Sequence, residues 1–136
     1  MIIRIIFGIF LVLHGLVHML YFGQSRRIFE LKPGMVWPDG SWLFSRLVGD
    51  ETTRLLASVF LVVAALGFVA GGTGVLLGQA WWRLVVVTAA IFSSVIYLLF
   101  WGGGWQNLHD KGAIGILINL AILGVVLIFQ WPNFEF

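Results

Sequence analysis

Residues 2–23 read IIRIIFGIFLVLHGLVHMLYFG, and the rest of the chain is interpreted around this stretch. Ile2–Gly23 is apolar over a length that crosses a bilayer, which takes roughly 20 residues. Backbone groups in hydrocarbon must bond within their own segment, so the stretch is a helix. It nevertheless carries Arg4, His14 and His18. Polar side chains at membrane depth face protein or trapped water rather than lipid. The helix is therefore expected to have an inner face against which the other segments pack. A signal peptide has a shorter apolar core, about 7–15 residues, ending at small residues. Here the run continues through Met19-Leu20-Tyr21-Phe22 without such a site, and it is read as a retained helix.

The 136-residue chain is 60% hydrophobic and only 10% charged. A soluble domain carries about 25% charged residues, so the partner of most of this surface is a lipid bilayer. The net charge of +2 rests on few groups. No basic patch with interleaved aromatics lies outside the apolar runs, which excludes nucleic acid. Without cysteine there are no disulfides, thiolate metal ligands or cysteine nucleophiles. No glycine-rich strand–helix unit ends in Lys-Ser or Lys-Thr, and there is neither a nucleophile elbow nor a carboxylate pair. The length suits a single transmembrane domain, residues 1–136.

Three more apolar runs follow the first, at about 53–77, 81–101 and 112–131, each near spanning length. The fold class expected is all-α: an integral membrane four-helix up-down bundle. Loop 24–52 is long for such a bundle, where connections take about 2–8 residues. It holds two proline turns, Lys32-Pro33-Gly34 and Trp37-Pro38-Asp39-Gly40, followed by SWLFSRLV with clustered apolar positions. Asp39 or Ser41 can cap a short amphipathic helix there. Trp37 and Trp42 suit the headgroup zone, so the helix is expected at the interface; a lid over the bundle mouth is the sharper alternative. Arg26, Arg27, Lys32, Arg46, Arg54 and Lys111 fall on the side of loops one and three, against Arg4 and Arg83 on the other. Because cytoplasmic loops carry the excess, both termini are expected on the non-cytoplasmic side of a bacterial or archaeal cell membrane.

A wheel of 100° per residue places Arg4, Gly8, Leu11, His14, Gly15, His18 and Phe22 on one face of the first run. It draws faces through Ala57, Ala64 and Gly71 in the second, through Val87, Ala90, Ser94, Tyr97 and Trp101 in the third, and through Gly112, Gly115, Asn119 and Val126 in the fourth. Small residues let membrane helices approach and polar ones bond across the contact. Gly8, Gly15, Gly67, Gly71, Gly112 and Gly115 are the expected packing positions; Gly67-x3-Gly71 serves equally for contact with a second copy. His14, His18, Ser93, Ser94, Tyr97, His109, Asp110 and Asn119 all fall in the half beneath the long loop, which suggests a polar pocket there.

His14 and His18, at i and i+4, share a helix face. That spacing can ligate a metal, and His109 can add a third imidazole. The only nearby carboxylates lie in loops, so no metal site is assigned. The alternative is that each histidine bonds a carbonyl, Ser or Asn on a neighbouring helix. Haem ligation by His14 or His18 with His109 competes with this, as does a quinone head site made by His18, Tyr97, Trp101 and Trp105. The tryptophans also fit an ordinary interfacial belt.

The pattern Arg-x3-Gly-x5-His-Gly (Arg4, Gly8, His14 and Gly15) resembles the opening helix of DoxX-like membrane proteins. The glycine-rich end of the second run and Asn119-Leu120-Ala121 look similar as well. Those are small four-helix proteins, some associated with quinone-linked oxidoreductases. This chain departs from them in its long first loop and in lacking an acidic residue inside the second run, where Glu51 only approaches the place. The resemblance implies an accessory, non-catalytic membrane subunit. Its pocket would take a quinone-like molecule or another membrane protein. A quinone-linked or haem-binding redox subunit is the rival, and a small transporter or channel a third, opposed by the lack of a charged residue at mid-bilayer.

Overall fold

The computed structural model describes residues 1–105 and 112–134. They form four helices and no strands: α1 (Ile2–Ser25), α2 (Phe44–Leu77), α3 (Trp82–Leu99) and α4 (Ala113–Leu123). The last continues as a π turn over Gly124–Ile128. The first three are long and apolar enough to cross a membrane, and the run Ala113–Ile128 is a shorter apolar helix.

Burial on α1 inverts the pattern of a soluble helix. Phe7, Gly8, Leu11, His14, Gly15 and His18 are buried. Ile5, Ile6, Ile9, Leu13, Leu16 and Leu20 are exposed. A surface of large aliphatic side chains around an interior of small and polar ones fits lipid as the surrounding solvent. Lipid supplies no hydrophobic drive between helices, so close packing and interhelical hydrogen bonds must hold the bundle.

Glycine provides the packing. A Cβ built on Gly8 would meet Leu76 and the Gly72 carbonyl, and one on Gly15 would meet Phe68 and the Ala65 carbonyl. Gly67 and Gly71 face Ala89 and Val86 of α3, while Gly112 and Gly115 lie against the Tyr97 ring. The Gly67-x3-Gly71 pair is thus spent on a contact inside the chain. Phe7, Leu11, Phe68, Val75, Trp82, Val86, Ile122 and Val126 fill the adjoining core.

Helix α2 starts earlier than residue 53. A helical turn from Phe44 joins it across Gly49, whose φ of 79° breaks the helix and favours glycine. Ser41 starts that turn: its Oγ accepts from the Phe44 amide at 3.0 Å and the Leu43 amide at 3.2 Å. The same hydroxyl donates to the Leu99 carbonyl. The Trp42 amide donates to the Trp101 carbonyl at 2.9 Å, and the Trp42 indole to the Leu98 carbonyl at 3.0 Å. The loop therefore satisfies carbonyls that the end of α3 leaves without intrahelical partners. Ser41→Ala removes bonds at both helix ends and should cost about 1–2 kcal/mol. Denaturant unfolding in detergent measures this, with Gly40→Ala expected within about 0.5 kcal/mol of wild type.

At the opposite end of α3, Arg83 donates to the carbonyls of Gln130 at 2.9 Å and Pro132 at 3.0 Å. The expected fourth run to residue 131 ends sooner as helix because its last turn widens, with the Phe129 amide reaching the Gly124 carbonyl.

Candidate functional site

Four buried side chains from three helices join in one directional chain of hydrogen bonds. His18 Nδ1 lies 3.0 Å from the His14 carbonyl, which can only accept, so Nδ1 carries the proton. In a neutral imidazole Nε2 is then the acceptor, and Ser93 Oγ donates to it at 2.7 Å. Ser93 Oγ accepts in turn from Asn119 Nδ2 at 2.9 Å. Asn119 Oδ1 accepts from His14 Nε2 at 2.8 Å. One assignment of tautomers and amide orientation satisfies all four bonds with both rings neutral.

The cluster is closed to its surroundings. His14 is 6% exposed, His18 and Ser93 1%, and Asn119 0%. Phe68 of α2 packs against both imidazoles, with ring centroids 4.6 Å from His14 and 5.4 Å from His18. Tyr97 covers His18 at 5.9 Å. Above Tyr97 sits Trp37 of the long loop, 5% exposed, at 5.3 Å from Tyr97 and 5.0 Å from Tyr21. Gln24 holds that loop down: its side-chain oxygen accepts from the Leu31 amide, and its nitrogen donates to the Met35 carbonyl. The loop thus caps this end of the bundle through Trp37.

No family model, curated protein or solved structure matches this chain.

His14, His18, Tyr97 and Asn119 are brought together. Ser94 is not among them: its Oγ turns back to the Ala90 carbonyl of its own helix at 2.8 Å, and the adjacent Ser93 is the serine in the chain. Trp101 also stands apart, donating to the Gly104 carbonyl and packing on Trp105 at 4.9 Å. Trp37 and Tyr21 supply the aromatic cover. His109 and Asp110 lie outside the described residues. Among the described residues no group of three or more His, Cys, Asp or Glu is placed to hold a metal ion.

Outside the spans, Asp39 carries the perturbed charge of the loop. Burial raises its carboxyl above the ordinary value of 3.8, and Arg27, 3.4 Å away, opposes the rise. Arg54 also lowers it and Asp50 raises it, both at longer range. Relative to the unfolded chain, the fold thus shifts this carboxyl toward its neutral form. Stability present below 3.8 is lost as pH rises through the higher folded value. Asp39→Asn should remove this decline. Unfolding midpoints of the two proteins, compared from 3.8 up to neutrality, test it; parallel profiles would contradict it.

Proposed function

We propose that the chain is a DoxX-like, non-catalytic accessory subunit of a membrane assembly, with its buried polar cluster holding helices in register. The observation that carries this reading is the closed hydrogen-bond chain His14–Asn119–Ser93–His18. Both Nε2 atoms, through which a haem iron is ordinarily ligated, are already engaged there. Up-and-down topology is supported by contacts that match opposite ends of α1 and α2, with Gly8 against Gly72 and Ser25 against Ser58. The bias of Lys and Arg supports termini on the non-cytoplasmic face of a bacterial or archaeal membrane. Exposed Trp42, Leu47 and Val48 support an interfacial position for the first turn of α2.

Tagged protein extracted from native membranes tests this reading beside a His14→Leu/His18→Gln variant. The variant should fold with lower stability and keep the same copurifying membrane protein. A visible haem band in the wild type, absent from the folded variant, would establish the redox alternative. A lone homogeneous monomer would remove the subunit reading.

One observation favours a second reading, a site for a quinone-like carbonyl compound beneath the loop. Among the described residues the buried Trp37 indole N–H has no hydrogen-bond partner, and it lies beside Tyr97 and Tyr21. Trp37→Phe keeps an aromatic ring and deletes the donor. A quinone present in solvent extracts of the wild type and lost from this variant would support that site, and its presence in both would contradict it.

A further inference from the structure

We propose that the junction of α1 and α2 is a site for an anionic phospholipid, with one acyl chain along an apolar groove and the phosphate among arginines at its mouth. The groove, about 340 Å³, is lined by Phe22, Leu55, Val59, Val62 and Val63. It abuts a second hollow of about 360 Å³ bounded by Arg26, Arg27, Arg54 and Glu51. Arg26 and Leu55 line both, so the apolar and charged parts form one continuous surface.

Charge decides the headgroup. Arg27 is engaged by Asp39 at 3.4 Å. Among the described residues, neither Arg26 nor Arg54 has a carboxylate within ion-pair distance. With Glu51 as the one acid on the hollow's wall, the balance remains positive. A zwitterionic headgroup would bring its own cation to this surface, whereas a phosphodiester without one neutralises it. Guanidinium groups pair with phosphate oxygens through two parallel N–H bonds, a geometry ammonium lacks. Basic pockets between membrane helices bind anionic headgroups on this physical basis.

The apolar half requires a chain as well as a phosphate. Leu55 and Val59 are exposed and border Ser58, which is buried and bonded to Ser25 at 3.0 Å. The groove floor is thus an internally satisfied contact between the helices, leaving apolar surface for an acyl chain.

Native mass spectrometry of the detergent-solubilised full chain reads occupancy after addition of phosphatidylglycerol, phosphatidylcholine of the same chains, or inorganic phosphate. Phosphatidylglycerol should bind at least tenfold tighter than either. Arg26→Gln/Arg54→Gln should abolish that preference and Arg26→Lys/Arg54→Lys should restore part of it. Val59→Trp, which fills the groove and leaves the arginines, should weaken the lipid tenfold. Equal binding of phosphatidylcholine would overturn the role of charge. Phosphate binding as tightly as the lipid, or an unaffected Val59→Trp, would overturn the groove. Thermal unfolding of each variant separates loss of binding from loss of fold, and none of these outcomes depends on the subunit reading.

Discussion

Gly72→Ala should destabilise the protein by about 3 kcal/mol, at the upper end of what small-to-large changes in packed sites cost. A methyl at this position would lie 2.7 Å from the Gly8 carbonyl oxygen and 2.9 Å from the Val12 amide nitrogen. Both are backbone atoms of α1, so no side-chain rotation relieves them and the whole helix must move. That movement would separate α1 from α2 along a contact that also seats Gly15 against the Ala65 carbonyl. In lipid the loss is not recovered by burying new apolar surface, because the helices are already solvated by hydrocarbon. Gly67→Ala should cost less, since its nearest neighbour is the Ala89 methyl at 2.9 Å rather than backbone. Gly124→Ala should be neutral or stabilising by up to about 1 kcal/mol. That position has open space around it and a helical φ of −59°. Denaturant titration in mixed micelles, followed by tryptophan fluorescence, gives the ranking. A Gly72→Ala protein within about 0.5 kcal/mol of wild type, the range of an unremarkable surface change, would contradict the close approach of α1 and α2.

The inner face of α1 was legible because lipid removes the alternatives. His14 and His18 have nowhere to go but inward, and Gly8, Leu11 and Gly15 share their side of the wheel, as the buried set shows. On α3 the same reasoning drew the face through Ser94 and Trp101, whereas the buried face runs through Val86, Ala90, Ser93 and Tyr97. Adjacent serines differ by 100° in direction, and a serine in a helix can satisfy itself on its own backbone, as Ser94 does. Polarity alone therefore did not say which serine bridges helices. Asn119 has no such local escape in the same degree, and its inward placement followed from its type. Trp37 was read as interfacial because a residue in a proline turn has no periodicity to orient it. Its burial depends on the loop being tied by Gln24 and by Ser41 and Trp42 to other elements. A short helix was expected over SWLFSRLV, and what stayed hidden was that it runs up to α2 with a single break at Gly49. The charges at Arg46, Asp50 and Glu51 end the apolar run there without ending the helical backbone on either side of that glycine.

Asn119→Leu should lower the unfolding free energy by about 2–3 kcal/mol, between the average cost of breaking two interhelical bonds in a membrane protein and the cost of orphaning two buried groups. The two side chains have the same number and branching of heavy atoms, so the change leaves no large cavity. What it removes is both ends of the bridge: the acceptor for His14 Nε2 and the donor to Ser93 Oγ. His14 then keeps a buried N–H with no partner on α4, while Ser93 still donates to His18. The effect should therefore overlap with that of His14→Leu, which orphans the other side of the same bond. A double-mutant cycle between these positions should show a coupling of about 0.5–2 kcal/mol, as expected for residues in direct contact. His18→Gln combined with Asn119→Leu should couple more weakly, because Ser93 stands between them. If Asn119→Leu instead leaves stability unchanged while displacing a copurifying molecule, the chain of bonds is a ligand site and not a lock. The cycle distinguishes the two, since a lock couples His14 to Asn119 in the protein stripped of every other molecule.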